Sequence, residues 1–490
     1  MALQSIQFGV FVFVTALIGY LTYRKCRAAT TVSGVSPEAG NKEIFLAGGG
    51  LSWVFVAGSI TLTNLSTDQL VGMNGGQMML LALWELSAVF GLIILAKVFL
   101  PIYYRYKCTT TTELLEKRYH NHHIRALIGI LFLLGNVFIF LPAVLYTGSL
   151  FMQSMFGLDQ SLMTIAVIFA VIGACYAVLG GLRAVAVSDT YSGVLLLSLG
   201  LLVVYLALKA INFDFSGIPA ERLTLIGDND SPIPWHTLLT GMIFIQIFYW
   251  STNQTITQRA MASPTLKEGQ KGVIAAAIIR LVVVPPLIVL PGIVSYKLYG
   301  DIGDAAYGRI VGDVLPLWLS GAFAAALAAA VLTTFNSILN SSSAIWVCDI
   351  HEKYFIRKGS QVSIAKLNMV VTSVFVVIAL LIVPQYAKSE SIINTLQELY
   401  GLLSMPILSC FVVALLFKDT HYVSALAAVV FGVFLYALFT FQIQPFGLHY
   451  IHLMFITLIS TVLFALIVNR VLFNKFPSFS LEVFRAQPVS

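Results

Sequence analysis

Long apolar runs alternate with short polar ones along the whole chain. A helix that crosses a bilayer needs about 20 apolar residues, and runs of that order predict helices at 5–23, 51–79, 80–104, 126–151, 161–180, 190–212, 236–258, 273–299, 318–345, 363–387, 391–417, 422–444 and 447–473. Two of these thirteen depart from the pattern. The segment 51–79 carries Ser59, Thr61, Thr63, Asn64, Ser66, Thr67, Asp68 and Gln69, eight polar residues in eleven positions. The segment 236–258 ends on Tyr249-Trp250-Ser251-Thr252-Asn253-Gln254-Thr255. At bilayer depth such groups cost free energy unless they meet a partner, a cavity or a ligand. Both segments are expected to be interrupted helices.

Composition fits the same picture. The chain is 58% hydrophobic and 10% charged, against roughly 25% charged in a soluble domain. It reads as an all-α polytopic membrane protein in contact with lipid over most of its length. Five cysteines, Cys26, Cys108, Cys175, Cys348 and Cys410, form no CxxC, so neither a disulfide framework nor a zinc site is indicated. No GxxxxGK[ST] is present, which argues against ATP-driven transport. No signal peptide is evident. The longest outer loop, about 213–235, is short for a folded catalytic unit. An enzyme, a nucleic-acid partner and an obligatory protein partner are therefore not expected.

The loop charges give an orientation. With the N-terminus outside, 22 of the 28 lysines and arginines fall on the inner side and five on the outer side. Only Arg280 remains, inside a span. The expected location is the bacterial inner membrane, with the C-terminus in the cytoplasm. In this arrangement 51–79 enters from inside and 236–258, five spans later, enters from outside. Secondary transporters are often built from two such halves of opposite topology, each opening on a broken helix. The pair Thr63-Asn64 followed by Gln69 has an echo in Thr252-Asn253 followed by Gln258.

Several residues could carry chemistry. Asn64 and Gln69 can bond a polyhydroxylated or amide-bearing ligand; one such amide alone would read as helix–helix hydrogen bonding. Glu85 is ionisable within a span and is by default a functional candidate. Trp84 beside it offers either an aromatic face to a sugar ring or an interfacial anchor. Arg280 needs a counter-charge or an anionic ligand, and Glu85 is the candidate by type. Ala322–Ala330 reads first as close helix packing. Thr333, Thr334, Asn336, Ser337, Asn340, Ser341, Ser342 and Ser343 follow it. Their oxygens suit a hard cation such as Na⁺, with backbone carbonyls freed near Thr63–Ser66; back-bonding within the helix is the plainer use. Asp189 is either a cation stepping stone or a helix N-cap. Gln397 and Glu398 are polar within the span 391–417. His120, His122 and His123 read as solvated.

These clusters resemble the sodium:solute symporter family, with its bacterial sodium/sugar cotransporters nearest. The residues that carry the resemblance are FLAGGGLSW (Phe45–Trp53), TNLSTDQLVGM (Thr63–Met73), GGLRAVAVSD (Gly180–Asp189), the Phe248–Arg259 segment, EGQKG (Glu268–Gly272), VLPGI (Val289–Ile293) and FAAALAAAVLTTFNSILNS (Phe323–Ser341). The resemblance implies a leucine-transporter-like core of five plus five helices at 51–212 and 236–417, joined by the outer loop 213–235. An extra helix and inner loop (1–50) would precede it, and two helices and a tail (418–490) would follow. It implies a sodium ion held by the carbonyls of Leu62, Leu65 and Ala330 and the hydroxyls of Thr333 and Thr334. Asp189 with Asn336 and Ser337 would form a second cation site or an exit route. Asn64, Gln69, Glu85, Gln246, Arg280 and Gln397 match sugar-site positions, with Trp84 where a Tyr would stand. Tyr249 and Trp250 match residues that stack on the sugar and shut its inner exit. Relatives carry a hydroxyl three residues after the glutamate, where this chain has Ala88; Gln246 replaces a shorter Asn, and Arg280 replaces a Lys.

The expected function is Na⁺-coupled symport of a small sugar or sugar-like solute by alternating access, with no organic cofactor. The alternative is a sodium-coupled carrier of an acidic sugar, a carboxylate or an amino acid, its anionic group on Arg280. A channel or a respiratory pump subunit fits less well, because a pump should line several spans with Lys, Glu or His relays. Asp68 has no assigned role.

Overall fold

The computed structural model describes residues 2–27, 45–156, 158–355, 364–388 and 392–485. Among them, ten helices are long and apolar enough to cross a membrane. Three expected spans are not among these ten. Two, 51–79 and 236–258, are broken in mid-course. The third, 161–180, contributes the shorter apolar stretch Leu162–Ala174.

The first broken helix runs Trp53–Asn64, then Thr67–Gly75. No proline causes the break. Leu65 (φ −78°, ψ 74°) and Ser66 (φ −112°, ψ −175°) leave the helical region. The Ser66 N–H turns to the Asn64 carbonyl at 2.9 Å instead of reaching back to Leu62. That releases the Leu62 carbonyl. The second broken helix runs Gly241–Ile247, passes through a π-helical stretch Phe248–Thr252, and resumes at Gln254–Met261. Asn253 is extended there, and its side chain accepts from the Thr255 N–H at 2.9 Å, an N-cap for the second half. Both breaks thus fall at the asparagine of the Thr-Asn echo.

Leu317–Ala344 is the central helix. Its small residues let the N-terminal helix Ala2–Arg27, the helix Leu141–Phe156 and the first broken helix pack against it. Gly91, in the helix Leu83–Ile94, permits a comparable approach: a Cβ there would lie 2.3 Å from the Gln246 carbonyl oxygen. Large apolar side chains such as Val194, Leu381 and Val471 stay exposed on the periphery, as lipid contact requires.

Several expectations change. The spans 161–180 and 190–212 are one continuous helix, Leu162–Ala210. Its 49 residues would run about 74 Å if straight, over twice the hydrocarbon thickness of about 30 Å. Asp189 lies well inside that helix, which removes the N-cap reading. The short amphipathic helices Thr111–Tyr119 and Ala306–Val314 were not expected, because neither contains a long apolar run. Among the described residues the architecture is helical save for a two-residue antiparallel pairing of Phe417–Lys418 with Ser478–Phe479 and an isolated bridge between Gly227 and Pro234.

Candidate functional site

A cavity opens between the two broken helices. Asn64, Gln69, Trp84, Glu85, Gln246, Tyr249, Trp250 and Gln397 line it, eight of the nine expected solute contacts. The ninth, Arg280, does not line it. Its side chain is fully buried and pairs with Glu85, which is 2% exposed. The guanidinium also donates to the Thr61 carbonyl at 3.0 Å and lies 4.5 Å from the centre of the Trp250 ring. Arg280 therefore stands behind the cavity wall, and its charge is met by Glu85. A buried ion pair of this kind holds its members in register, and removing either leaves an uncompensated charge.

Glu85 also accepts from Gln69 Nε2, which leaves Gln69 Oε1 with no partner. Gln246 Nε2 donates to the Trp84 carbonyl at 2.7 Å and to Ser87 Oγ at 2.9 Å, and Gln246 Oε1 accepts from Trp250 Nε1 at 2.9 Å. The extra length of Gln over Asn is used in these contacts. Tyr249 accepts from Asn64 Nδ2 at 2.9 Å. Its ring meets Trp250 and Tyr400 edge-on at 5.1 and 5.7 Å.

Some lining residues escaped sequence reasoning. Tyr400 borders the cavity with Ile393, Leu396 and Phe140, and its hydroxyl accepts from Asn253 Nδ2 at 2.9 Å. The helical spacing of Ile393, Leu396, Gln397 and Tyr400 was the available signal. Ser87 supplies a hydroxyl one position before Ala88, so a lone position-matched reading passes over it.

Of the expected sodium ligands, Thr334 reaches across to the first broken helix, whereas Thr333 bonds back within its own helix. Thr334 Oγ1 donates to the released Leu62 carbonyl at 3.2 Å, and Thr333 Oγ1 donates to the Ala330 carbonyl at 3.1 Å. Leu65 is the non-helical residue at the break itself. Hydroxyl and carbonyl oxygens of this kind are the donor type that a hard cation takes, and the Leu62 carbonyl is the one released by the break. Asp189, Asn336 and Ser337 face different neighbours. Asp189 Oδ2 accepts from Ser59 Oγ at 2.5 Å, and Ser59 Oγ accepts from Arg259 Nε at 3.0 Å. Ser337 Oγ lies 3.4 Å from Thr63 Oγ1. A Cβ on Gly173 would sit 3.4 Å from Asn336 Oδ1, whose side chain has no hydrogen-bond partner. Among the described residues no group of three or more His, Cys, Asp or Glu could hold a metal.

Adjoining the cavity is a second, smaller chamber, lined by Thr63, Asn64, Asp68, Asn136, Tyr249, Thr255 and Thr334 among others. Tyr249 borders both spaces.

Residues 44–432 match the model of the sodium:solute symporter family. An uncharacterized symporter of Escherichia coli, YidK, is 31% identical over 95% of this chain and 84% of its own length. The sodium/glucose cotransporter of Vibrio parahaemolyticus is 29% identical over 87% of this chain and 84% of its own. A solved Na⁺-coupled sialic acid symporter, in a substrate-bound outward-open state, superposes with a TM-score of 0.79 at 18% identity, covering 95% of this chain and 97% of that one. At that identity the likeness shows a shared fold.

Proposed function

The chain belongs to the sodium:solute symporter family, a transporter driven by sodium and not an enzyme, and from that premise we propose that it carries a neutral sugar or similar polyol. One observation carries the choice of solute. Amides and a carboxylate (Asn64, Gln69, Glu85, Gln246, Gln397) surround the same cavity as the aromatic rings of Trp84, Tyr249 and Tyr400. Hydroxyls bond the former, and the apolar faces of a sugar ring pack on the latter. The name of the Vibrio parahaemolyticus relative points the same way. An anionic solute is disfavoured, because Arg280 is committed to Glu85 behind the wall.

Sodium is assigned to the Leu62, Leu65 and Ala330 carbonyls with the Thr333 and Thr334 hydroxyls. Bound there, it bridges the break of the first helix to the central helix. That fixes Asn64 and Gln69, on either side of Leu65, for the solute. Tyr249 and Trp250 close the way inward. Loss of sodium to the inside frees the break, and the solute follows. Each sodium charge gains about 2.3 kcal/mol per 100 mV of membrane potential. Asp189 and Ser59, with Asn336 and Ser337 of the central helix, are assigned to the sodium exit route. The halves 51–212 and 236–417 are assigned as the moving repeats.

Thermal unfolding of the purified protein with a panel of solutes tests this reading, because a ligand stabilises the state it binds. Neutral hexoses or inositols should raise the transition in Na⁺ and leave it unmoved in K⁺. Shifts confined to carboxylates or amino acids would overturn the choice of solute.

A further inference from the structure

Carboxylates within the spans differ in how their charge is met. Glu85 pairs with Arg280, and Asp349 pairs with Arg125. Asp189 accepts from Ser59, which also receives Arg259. Asp68 has no ion pair among the described residues, and its Oδ1 is buried without a hydrogen-bond partner. A carboxylate with no counter-charge and one unpartnered oxygen at this depth is costly.

Asp68 borders the second chamber, and hydroxyls and amides share its lining. Three asparagines line it, and the N–H₂ of each is already engaged by a neighbour. Asn64 Nδ2 donates to Tyr249, Asn136 Nδ2 to Ser342 and Asn253 Nδ2 to Tyr400. Asn64 Oδ1 is left with no partner. So is Thr255 Oγ1, on a residue only 6% exposed. A chamber with one carboxylate, unpartnered oxygens and its amide donors already engaged suits a hard cation. We infer that the chamber is an additional sodium site, with Asp68 as its charged ligand and Asn64 and Thr255 as neutral ones. The inference rests on the symport reading above.

The position gives such an ion a role. The chamber reaches Thr334 of the first sodium cluster on one side. On the other it shares Asn64, Asp68 and Tyr249 with the solute cavity. An ion here draws Asp68 and Asn64 inward and withdraws Asn64 Oδ1 from competing with the solute. Sodium entry and solute affinity are then linked through one side chain.

The test is the number of sodium ions moved per solute, from the reversal of tracer flux in proteoliposomes at imposed voltages. The wild type is expected to move two and Asp68→Asn one, with Asp68→Glu retaining two. Equilibrium ²²Na⁺ binding to purified wild-type protein and to Thr255→Val supplies a reading that does not depend on Asp68→Asn folding. Two ions should bind the wild type, and Thr255→Val should weaken one of them several-fold. A wild-type ratio of one with sodium dependence intact overturns this site and leaves the symport reading standing. A ratio that drops with Asp189→Asn and not with Asp68→Asn places the second ion elsewhere and also overturns it. Uptake driven by a proton gradient and lost in Asp68→Asn would make the occupant a proton. Uptake indifferent to sodium in every variant overturns the symport reading itself.

Discussion

The Glu85–Arg280 pair ties the solute cavity to the break of the first helix, because Arg280 also holds the Thr61 carbonyl. Arg280→Ala should therefore cost about 3–5 kcal/mol of stability, the range for breaking a buried pair, read as a lowered unfolding transition. Gln69→Ala removes a cavity amide without stranding a charge. It should weaken solute binding about tenfold, roughly the 1.4 kcal/mol worth of a hydrogen bond to a charged or polar ligand group, with the fold unchanged. Asp304 lies outside the spans, beside Gly75 and Ile392. Burial raises its carboxyl to about 6, opposed only by a bond from the Ile392 N–H. The folded protein thus holds that proton more tightly than the unfolded chain does. The stabilisation is complete below the unfolded value of about 3.9, and is lost as pH rises through about 6. Asp304→Asn should flatten the melting temperature between about pH 4.5 and about pH 7.5 and raise it at the upper end. Charge type alone made the Glu85–Arg280 meeting legible in the sequence. Ser87 was not legible, since the cue pointed one residue further on. Asp189 misled, because an acid at the end of an apolar run looks like a helix start until the helix is seen to continue.

At the scale of elements, the two broken helices carry the account. Asn253 both caps the second half and donates to Tyr400. Asn253→Ala should lower stability by about 1 kcal/mol from the lost cap alone. It should also loosen the Tyr249–Tyr400 contact, which thermal unfolding and solute leak would report together. Gly91→Ala places a Cβ against the Gln246 backbone. It should reduce solute binding along with stability, because the same step displaces Gln246 from Trp84 and Ser87. The first break was legible because eight polar residues cannot all sit in an intact lipid-facing helix. The second was legible only through the Thr-Asn echo and its opposed direction. The short helices Thr111–Tyr119 and Ala306–Val314 left no comparable signal, since an amphipathic turn or two lies far below the length at which apolar runs speak.

At the scale of the whole molecule, the sorting of lysine and arginine leads us to propose a cytoplasmic C-terminus. A green fluorescent protein fused to the C-terminus should fluoresce, and alkaline phosphatase at the same point should be inactive; the reverse would invert the orientation. The burial of the central helix Leu317–Ala344 against lipid-facing helices matches its run of small residues, and this much of the architecture follows from side-chain size. The solute does not follow in the same way, because it depends on where a few side chains converge. The central claim is that a sodium gradient drives solute uphill through this site. It is tested most directly by uptake of a radiolabelled hexose or inositol into proteoliposomes, with sodium outside only, with sodium equal on both sides, and with Thr334→Ala. Accumulation above the external concentration should occur in the first case alone. Equal uptake with and without the gradient, or full accumulation by Thr334→Ala, would contradict the account.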